Sequence, residues 1–204
     1  MPVVINGTGA VTGVTSLPDG IVTVDDLSTS GTASASTFLS GTGAWAAAGG
    51  GVIKQVLSAT KTDTFDTNSS SFVDVTGVTI DVTPSSTSNK VWCSITGWAS
   101  HSSAGSSVYL RMVRDSTAIS VGAAAGSRVV CSTGNAGDQT YSNGSFAISF
   151  LDSPSTSGSA VTYKLQCLSQ TGGSSARINY RGDDSDGASW GRGATTITVM
   201  EIEV

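Results

Sequence analysis

The sequence predicts an all-β protein whose strands are spaced as in antiparallel β-sandwiches and jelly rolls. Three observations predict this fold class. Apolar and polar residues alternate with a period of two in most segments after residue 51. The chain has 25 glycines but only 4 prolines, and turn signals separate the alternating segments. No segment has a convincing helical period, because residues 44–48, the only candidate, would make one turn at best.

The chain divides into two predicted domains at a glycine-rich stretch, GTASASTFLSGTGAWAAAGGG. Residues 1–50 contain short β-like bursts that are too small to close a core unaided. We expect them to form an extended N-terminal attachment and oligomerisation segment, ordered by pairing with its own copies or with a docking protein. Its three large side chains, Phe38, Leu39 and Trp45, are the expected anchors. Residues 51–204 form the predicted β-sandwich head.

The strands of the head show both the period of two and one interruption of it. Val73 and Val75 share one face, whereas Val78 and Val82 follow the opposite parity. The change falls at Gly77, which predicts a bulge or a tight turn. The later predicted strands alternate without such a change: Val91–Trp98, Val108–Met112, Ile119–Val121, Phe146–Phe150, Val161–Cys167, Ile178–Tyr180 and Thr195–Val204.

Two of these strands carry large apolar side chains on both faces. In the last strand, Ile197 and Val199 lie opposite Met200, which predicts a strand at the centre of the sandwich or along a subunit interface. Trp92 and Trp98 lie on the less apolar face of their strand. We interpret these tryptophans either as part of a second buried face or as a contact between subunits.

The three cysteines are interpreted as small buried hydrophobic residues. Cys93 and Cys167 fall on the apolar faces of their strands, and Cys131 is assigned the same role. An odd, sparse set of cysteines predicts no disulfide framework.

Charge and composition exclude several classes of function. The net charge is −5, with 10 basic and 15 acidic residues, which argues against a protein that tracks nucleic-acid phosphates. No apolar run approaches the roughly 18 residues of a transmembrane helix. The first residues lack the basic region of a signal peptide, so we expect synthesis in a cytosol, no ordinary export and no membrane partner.

The sequence predicts no catalytic residue, no metal site and no cofactor, and therefore no enzyme. His101, the single histidine, lies in a Ser/Gly-rich stretch and is predicted to be a solvated loop residue. No G-x-S-x-G elbow provides an oxyanion hole for a serine nucleophile. The cysteines and the histidine do not fall at zinc-ligand spacings.

A glycine-bounded loop near the C-terminus is the candidate contact with a receptor. An aromatic ring there can stack on a sugar while carboxylates accept hydrogen bonds from its hydroxyl groups. The candidate contact residues are Trp190, Asp183, Asp184, Asp186 and Arg192. Two alternatives stay open: Trp190 covers the end of the sandwich, or the aspartates take part in a loose calcium site. The adhesion-like tripeptide Arg181-Gly182-Asp183 is interpreted as coincidence.

Two sets of residues resemble known phage proteins. The stretch GTASASTFLSGTGAWA resembles the join between the attachment segment and the head of phage tail fibre and virion appendage proteins. The pieces SATKTDTF, SFVDVTGVTIDVTPSSTSNK, LRMVRDSTAI, FLDSP and TITVMEIEV resemble, in order, the C1q/TNF-like jelly-roll heads of phage fibres. The resemblance implies an antiparallel jelly-roll β-sandwich preceded by an extended N-terminal attachment segment, and it implies a homotrimer.

These inferences together predict a structural protein of the virion that is assembled in the host cytoplasm. The expected function is a trimeric tail fibre or surface fibre that anchors by its N-terminus and presents its head for host attachment. The expected partners are its own copies, a tail adaptor or the capsid, and host surface polysaccharide. The first alternative is a capsid decoration protein, such as a cement or head fibre protein. Further alternatives are a polysaccharide-binding lectin and a depolymerase spike, although no positioned pair of acids is visible for the latter. The candidate tip loops are Ser100–Ser107, Gly122–Ser127, Ser132–Asn143 and Gly182–Gly193.

Overall fold

The computed structural model describes residues 37–39, 45–47, 52–137, 143–181 and 184–204, and only the backbone of 37–39, 45–47 and 135–137. The chain separates into two compact units, Met1–Gly50 and Gly51–Val204. All regular structure in the described residues is β-strand or isolated β-bridge.

The described part of the first unit is a short antiparallel pair. Strand β1 (Thr37–Leu39) pairs with β2 (Trp45–Ala47), and Leu39 lies opposite Trp45. The segment 44–48, the one helical candidate, is therefore a strand over 45–47. The predicted anchoring by the side chains of Phe38, Leu39 and Trp45 lies outside the described residues, as does most of the predicted attachment segment.

The second unit is built from strands that the alternation predicts in most cases. They are β3 (Ile53–Lys61), β4 (Phe65–Thr67), β5 (Val73–Val82), β6 (Lys90–His101), β7 (Ser106–Arg114), β8 (Thr117–Ile119), β9 (Thr133–Gly137), β10 (Asn143–Asp152), β11 (Val161–Ser169), β12 (Ala176–Ile178) and β13 (Thr195–Ile202).

These strands form two antiparallel sheets. The first sheet has the order β3-β13-β6-β12-β4, with β10 on the other edge of β6. The second has the order β5-β11-β7-β8, with β9 beside β8 along the same edge of β7. The pairings between earlier and later strands are nested within one another: β3 with β13, β5 with β11, β6 with β10, and β7 with β8 and β9. This is the jelly-roll arrangement, and it confirms the predicted fold class.

The core lies between the two sheets and is almost entirely apolar. Its largest fully buried side chains include Tyr163, Ile95, Leu110, Met112 and Leu165. Each such burial contributes roughly 1.5–3 kcal/mol to folding. Strand β13 lies between β3 and β6 with its inward residues fully buried, so its predicted central position is confirmed.

The predicted interruption at Gly77 is confirmed as a bulge. Thr79 pairs with Lys164 and Asp74 with Gln166, so four residues of β5 lie opposite Leu165 alone. Gly77 adopts φ +85°, a conformation that glycine reaches at little cost. The extra residues change the parity and keep Val75 and Val78 both in the core.

The head has two ends, which the direction of β6 defines. Lys90, the first residue of β6, pairs with Ile202, and Ile202 also pairs with Ile53, where the head begins. We call this the entry end. His101 marks the far end, where β6 pairs with Ala176.

Two predictions about single side chains are wrong. His101 is not a solvated loop residue: it ends β6 and is 1% exposed. Cys131 is only half-buried, in the connection between β8 and β9, whereas Cys93 and Cys167 are buried as their parity predicts.

The connection between β8 and β9 leaves at Ile119, opposite Met112, and returns at Thr133, opposite Leu110. The candidate tip loop Gly122–Ser127 therefore lies beside the sheet edge.

Candidate functional site

The loop between Tyr180 and Arg192 is closed at its base like a hairpin. Tyr180 forms a β-bridge with Arg192, and the backbone NH of Gly193 donates to the carbonyl of Asn179 at 2.8 Å. The NH of Asn179 donates in turn to the carbonyl of Trp98 at 2.9 Å, which fixes the loop to β6. The loop thus leaves the far end from a rigid base.

The buried side chain of Asn179 strengthens this base. Its Nδ2 donates to the carbonyls of Lys61 at 2.9 Å and Asp63 at 3.0 Å, and its Oδ1 accepts from Thr195 Oγ1 at 2.7 Å. Asn179 has φ +68°, a conformation that asparagine tolerates better than most residues. These contacts join β3, β12 and β13 directly below the loop.

The returning arm of the loop packs flat on Trp98. A Cβ atom on Gly191 would lie 2.9 Å from Cη2 of Trp98, and one on Gly193 would lie 3.0 Å from its Cε3. Only glycine allows so close an approach of backbone to indole. Trp98 therefore lies on the outer face of the first sheet, as its parity predicts, and the loop covers it.

Described residues of the loop line a cavity of about 320 Å³ that is open to solvent. Its lining includes Trp190, Asp184, Asp186 and Arg192, four of the five predicted contact residues. The fifth, Asp183, lies outside the described residues. Arg181, which is not among the predicted contact residues, lines the cavity as well.

Two contacts order the charged side chains of the cavity. Arg192 holds Asp184 with two parallel bonds, from Nε at 3.0 Å and from Nη2 at 2.7 Å. Asp184 has φ +63°, a conformation that costs energy unless its surroundings hold it. The guanidinium of Arg181 lies 5.2 Å from the centre of the Trp190 ring, within cation–π range.

Trp190 is half-buried and borders the cavity rather than the core. A Cβ atom at position 187 would lie 3.0 Å from Cδ1 of Trp190, so glycine allows the backbone to approach that edge of the indole ring closely. The tryptophan of the sandwich that the loop packs against is Trp98. The arrangement around Trp190 combines an indole surface, guanidinium donors and carboxylate acceptors.

The described residues contain no group of three or more His, Cys, Asp or Glu side chains that can hold a metal ion. The calcium alternative relies on Asp183, which is not among them. Asp184 is a weak candidate ligand, because both of its carboxylate oxygens already accept hydrogen bonds from Arg192.

His101, the single histidine, is buried and contacts Ser103, Ser106 and Ser169. Nδ1 lies 3.1 Å from the backbone nitrogen of Ser103 and 3.3 Å from its carbonyl oxygen, and Nε2 lies 2.8 Å from Ser169 Oγ. Burial, reinforced by the charge of Arg177 and opposed by the backbone of Ser103, lowers the pKa of His101 below its usual 6.5. Ser169 is fully buried and donates to the carbonyl of Ser174 at 2.7 Å, so it is not placed to attack a substrate.

The outer face of the first sheet carries an apolar row. Leu151 lies opposite Trp92, Trp92 opposite Met200, and Met200 opposite Val56, so the row crosses four neighbouring strands. Leu151 is 47% exposed and Val56 is 53% exposed, while Trp92 and Met200 are half-buried. We refer to these four residues as the apolar row.

The next two rows toward the far end contain only alanine, serine and threonine. Ser58 bonds to Thr198 at 3.0 Å and Thr60 to Thr196 at 2.9 Å across β3 and β13. The rows are Ser149–Ser94–Thr198–Ser58 and Ala147–Thr96–Thr196–Thr60. None of these side chains, nor any in the apolar row, is charged.

Neither protein-family models nor curated protein sequences give a significant match to this chain. No helix among the described residues has the length and apolar character needed to span a membrane.

Proposed function

We propose that the protein is a structural component of a phage virion, a trimeric tail fibre or surface fibre that anchors by its N-terminal segment and presents its head for host attachment. The observation that carries the proposal is a run of three uncharged rows on the outer face of the first sheet, namely the apolar row and the two rows of alanine, serine and threonine beside it. It supports self-association, and the resemblance of the join and of the head segments to phage fibres supports the position in a virion.

The outer face suits contact with copies of the same chain. Residues near a rotation axis meet their own copies, so a charged residue there would face a like charge. The apolar row and the two Ser/Thr rows avoid this conflict. Val52, Ile53 and Val204 are further apolar side chains exposed at the entry end.

The two ends of the head suit two different tasks. The N-terminal segment joins at the entry end through residue 52, which is tied to the last strand by the bond from Glu203 NH to the Val52 carbonyl at 2.7 Å. The cavity loop and His101 lie at the far end. A head anchored at its entry end would direct the cavity away from the particle, which favours attachment over the capsid decoration alternative.

The test is the native mass of the full chain by light scattering after size exclusion. We expect three times the chain mass of 20.4 kDa. Met200→Glu should dissociate the trimer, because it places a charge in the apolar row. Thr79→Glu, on the exposed face of β5 in the second sheet, is the matched control and should remain trimeric. A monomeric wild type would overturn the proposed trimer, and a trimeric Met200→Glu variant would overturn the placement of the apolar row in its interface.

The position in the virion needs a second measurement. Immunogold electron microscopy with antibodies against the head should label the tail, or fibres that project from the particle. Uniform labelling of the capsid surface would support the decoration protein instead and contradict the fibre proposal.

A further inference from the structure

The far-end cavity has the size of a site for a small ligand. Its volume of about 320 Å³ is at the lower end of the range for small-molecule pockets, roughly 300–1,000 Å³. This volume suits one or two sugar rings better than a folded protein surface. The described residues of its lining are polar apart from Trp190 and the glycines.

Among the described residues that line the cavity, positive and negative charges are equal in number. Arg181 and Arg192 contribute two positive charges, and Asp184 and Asp186 contribute two negative charges. The whole chain carries −5, which opposes the approach of a polyanion. The balance favours a neutral ligand that both donates and accepts hydrogen bonds, as sugar hydroxyl groups do.

The polar groups keep free bonding capacity after their own contacts. Arg192 uses Nε and Nη2 to bind Asp184, and a guanidinium has five NH donors. A carboxylate accepts about four hydrogen bonds, so Asp184 can accept others, and Asp186 is exposed. Trp190 adds an indole surface against which the C–H face of a pyranose ring can pack.

The cavity is held in shape before any ligand arrives. The bidentate Arg192–Asp184 pair, the Tyr180–Arg192 bridge and the packing of Gly191 on Trp98 hold the described residues of the loop in place. A preformed site loses less conformational entropy on binding.

We propose that this cavity binds a neutral saccharide, with one pyranose ring packed against Trp190 and its hydroxyl groups bonded to Arg192, Asp184 and Asp186. The inference rests on the proposed function in one respect, since the saccharide would be part of a host surface polysaccharide. Three sites per trimer would then add weak contacts through high effective concentration.

The test is saturation-transfer NMR on the full chain with methyl glycosides of glucose, galactose, mannose, rhamnose and N-acetylglucosamine as probes, and with methyl glucuronide as the anionic comparison. We expect at least one neutral glycoside to bind and the glucuronide to bind more weakly. Trp190→Ala should weaken binding by roughly 10-fold or more, because it removes the packing surface. Asp186→Ala, an exposed change that leaves the loop intact, should weaken binding roughly 10-fold by removing a charged acceptor.

Trp92→Ala is the matched control, because Trp92 lies in the apolar row and not in the cavity. It should leave monosaccharide binding per chain unchanged even where it weakens assembly, whereas Trp190→Ala should leave the native mass unchanged. The two proposals can therefore fail separately. The saccharide site would be overturned if no neutral glycoside binds or if the glucuronide binds more tightly than the neutral glycosides. It would also be overturned if binding survives in both Trp190→Ala and Asp186→Ala.

Discussion

The side-chain amide of Asn89 donates a 2.6 Å hydrogen bond to Oε1 of Glu201, a carboxylate that is 1% exposed on the inner side of the last strand. The same oxygen accepts from the NH of Ser85 at 2.6 Å and from its hydroxyl at 2.7 Å. Gln55 donates to Oε2 at 2.6 Å. Burial opposes the charge of Glu201, but these bonds outweigh burial and lower its pKa to about 2. The carboxylate therefore joins the 83–89 connection, β3 and β13 at the entry end.

Replacing this carboxylate should destabilise the head. In Glu201→Gln the new amide would face the donors of Asn89 and Ser85, and we expect a loss of about 2 kcal/mol in the free energy of unfolding. Urea denaturation at neutral pH measures it. Glu203→Gln, which changes the exposed partner of Lys54, is the control and should cost less than about 1 kcal/mol.

The same residue predicts an acid-dependent loss of stability. The pKa of Glu201 is lower in the folded state than its ordinary 4.5, so its contribution is fully present above pH 4.5 and is lost as the pH falls toward 2. The free energy of unfolding, measured by urea denaturation at a series of pH values, should therefore fall more steeply between pH 6 and pH 3 for the wild type than for Glu201→Gln. Parallel curves for the two proteins would contradict the assignment.

Tyr163 ties the two sheets together through Asp152. Its hydroxyl donates to Oδ2 of Asp152 at 2.7 Å, and Arg114 binds both oxygens of that carboxylate at 2.9 Å. Burial, together with the bond to Asp152, raises the pKa of Tyr163, so the hydroxyl remains a donor throughout the physiological range. Tyr163→Phe should cost about 2 kcal/mol in thermal or urea unfolding. Tyr109→Phe, a half-buried tyrosine in the same sheet, should change stability little.

The close approach of the loop to Trp98 predicts a steric effect. Gly191→Ala should push the loop away from the indole and cost about 1–3 kcal/mol, because the added Cβ would lie 2.9 Å from Cη2. Near-ultraviolet circular dichroism should report the change in tryptophan packing. Gly172→Ala is the matched control, since a Cβ there has no neighbour within 4 Å among the described residues. Equal effects of the two substitutions would refute the close packing.

The buried imidazole of His101 predicts a second, milder pH dependence. Because burial lowers its pKa in the folded state, stability is greatest above the ordinary value of 6.5 and declines as the pH falls through that value. His101 is the only histidine, so its ring protons give one unambiguous NMR titration. A pKa measured at 6.5 or higher in the folded protein would contradict this prediction.

Most strands, the bulge at Gly77 and the inward positions of Cys93 and Cys167 could be predicted from the sequence. These features depend on local alternation, which the pleat of a strand imposes on neighbouring residues. Strand β9, TGNAG, was not identified because it has no apolar alternation and is held by pairing with β7. The burial of His101 was missed for a related reason, since it depends on Ala176 and Ser169, which are distant in sequence.

Most of the candidate site was identified from its composition, because a tryptophan among aspartates and an arginine is unusual in a glycine-bounded loop. Arg181 was missed because its position becomes informative only when the bridge between Tyr180 and Arg192 places it beside Trp190. The sequence also did not separate Trp98, which the loop covers, from Trp92, which contributes to the exposed apolar row.

The sequence by itself determined the all-β class, the faces of the strands and the composition of the loop, because side-chain alternation and turn chemistry act between near neighbours. Only the tertiary structure decided which strands pair and that the cavity lies at the end of the head far from residue 52. It also decided that Trp92, Met200, Val56 and Leu151 form one row. The register between distant strands decides these relationships, and register follows from the packing of the whole core.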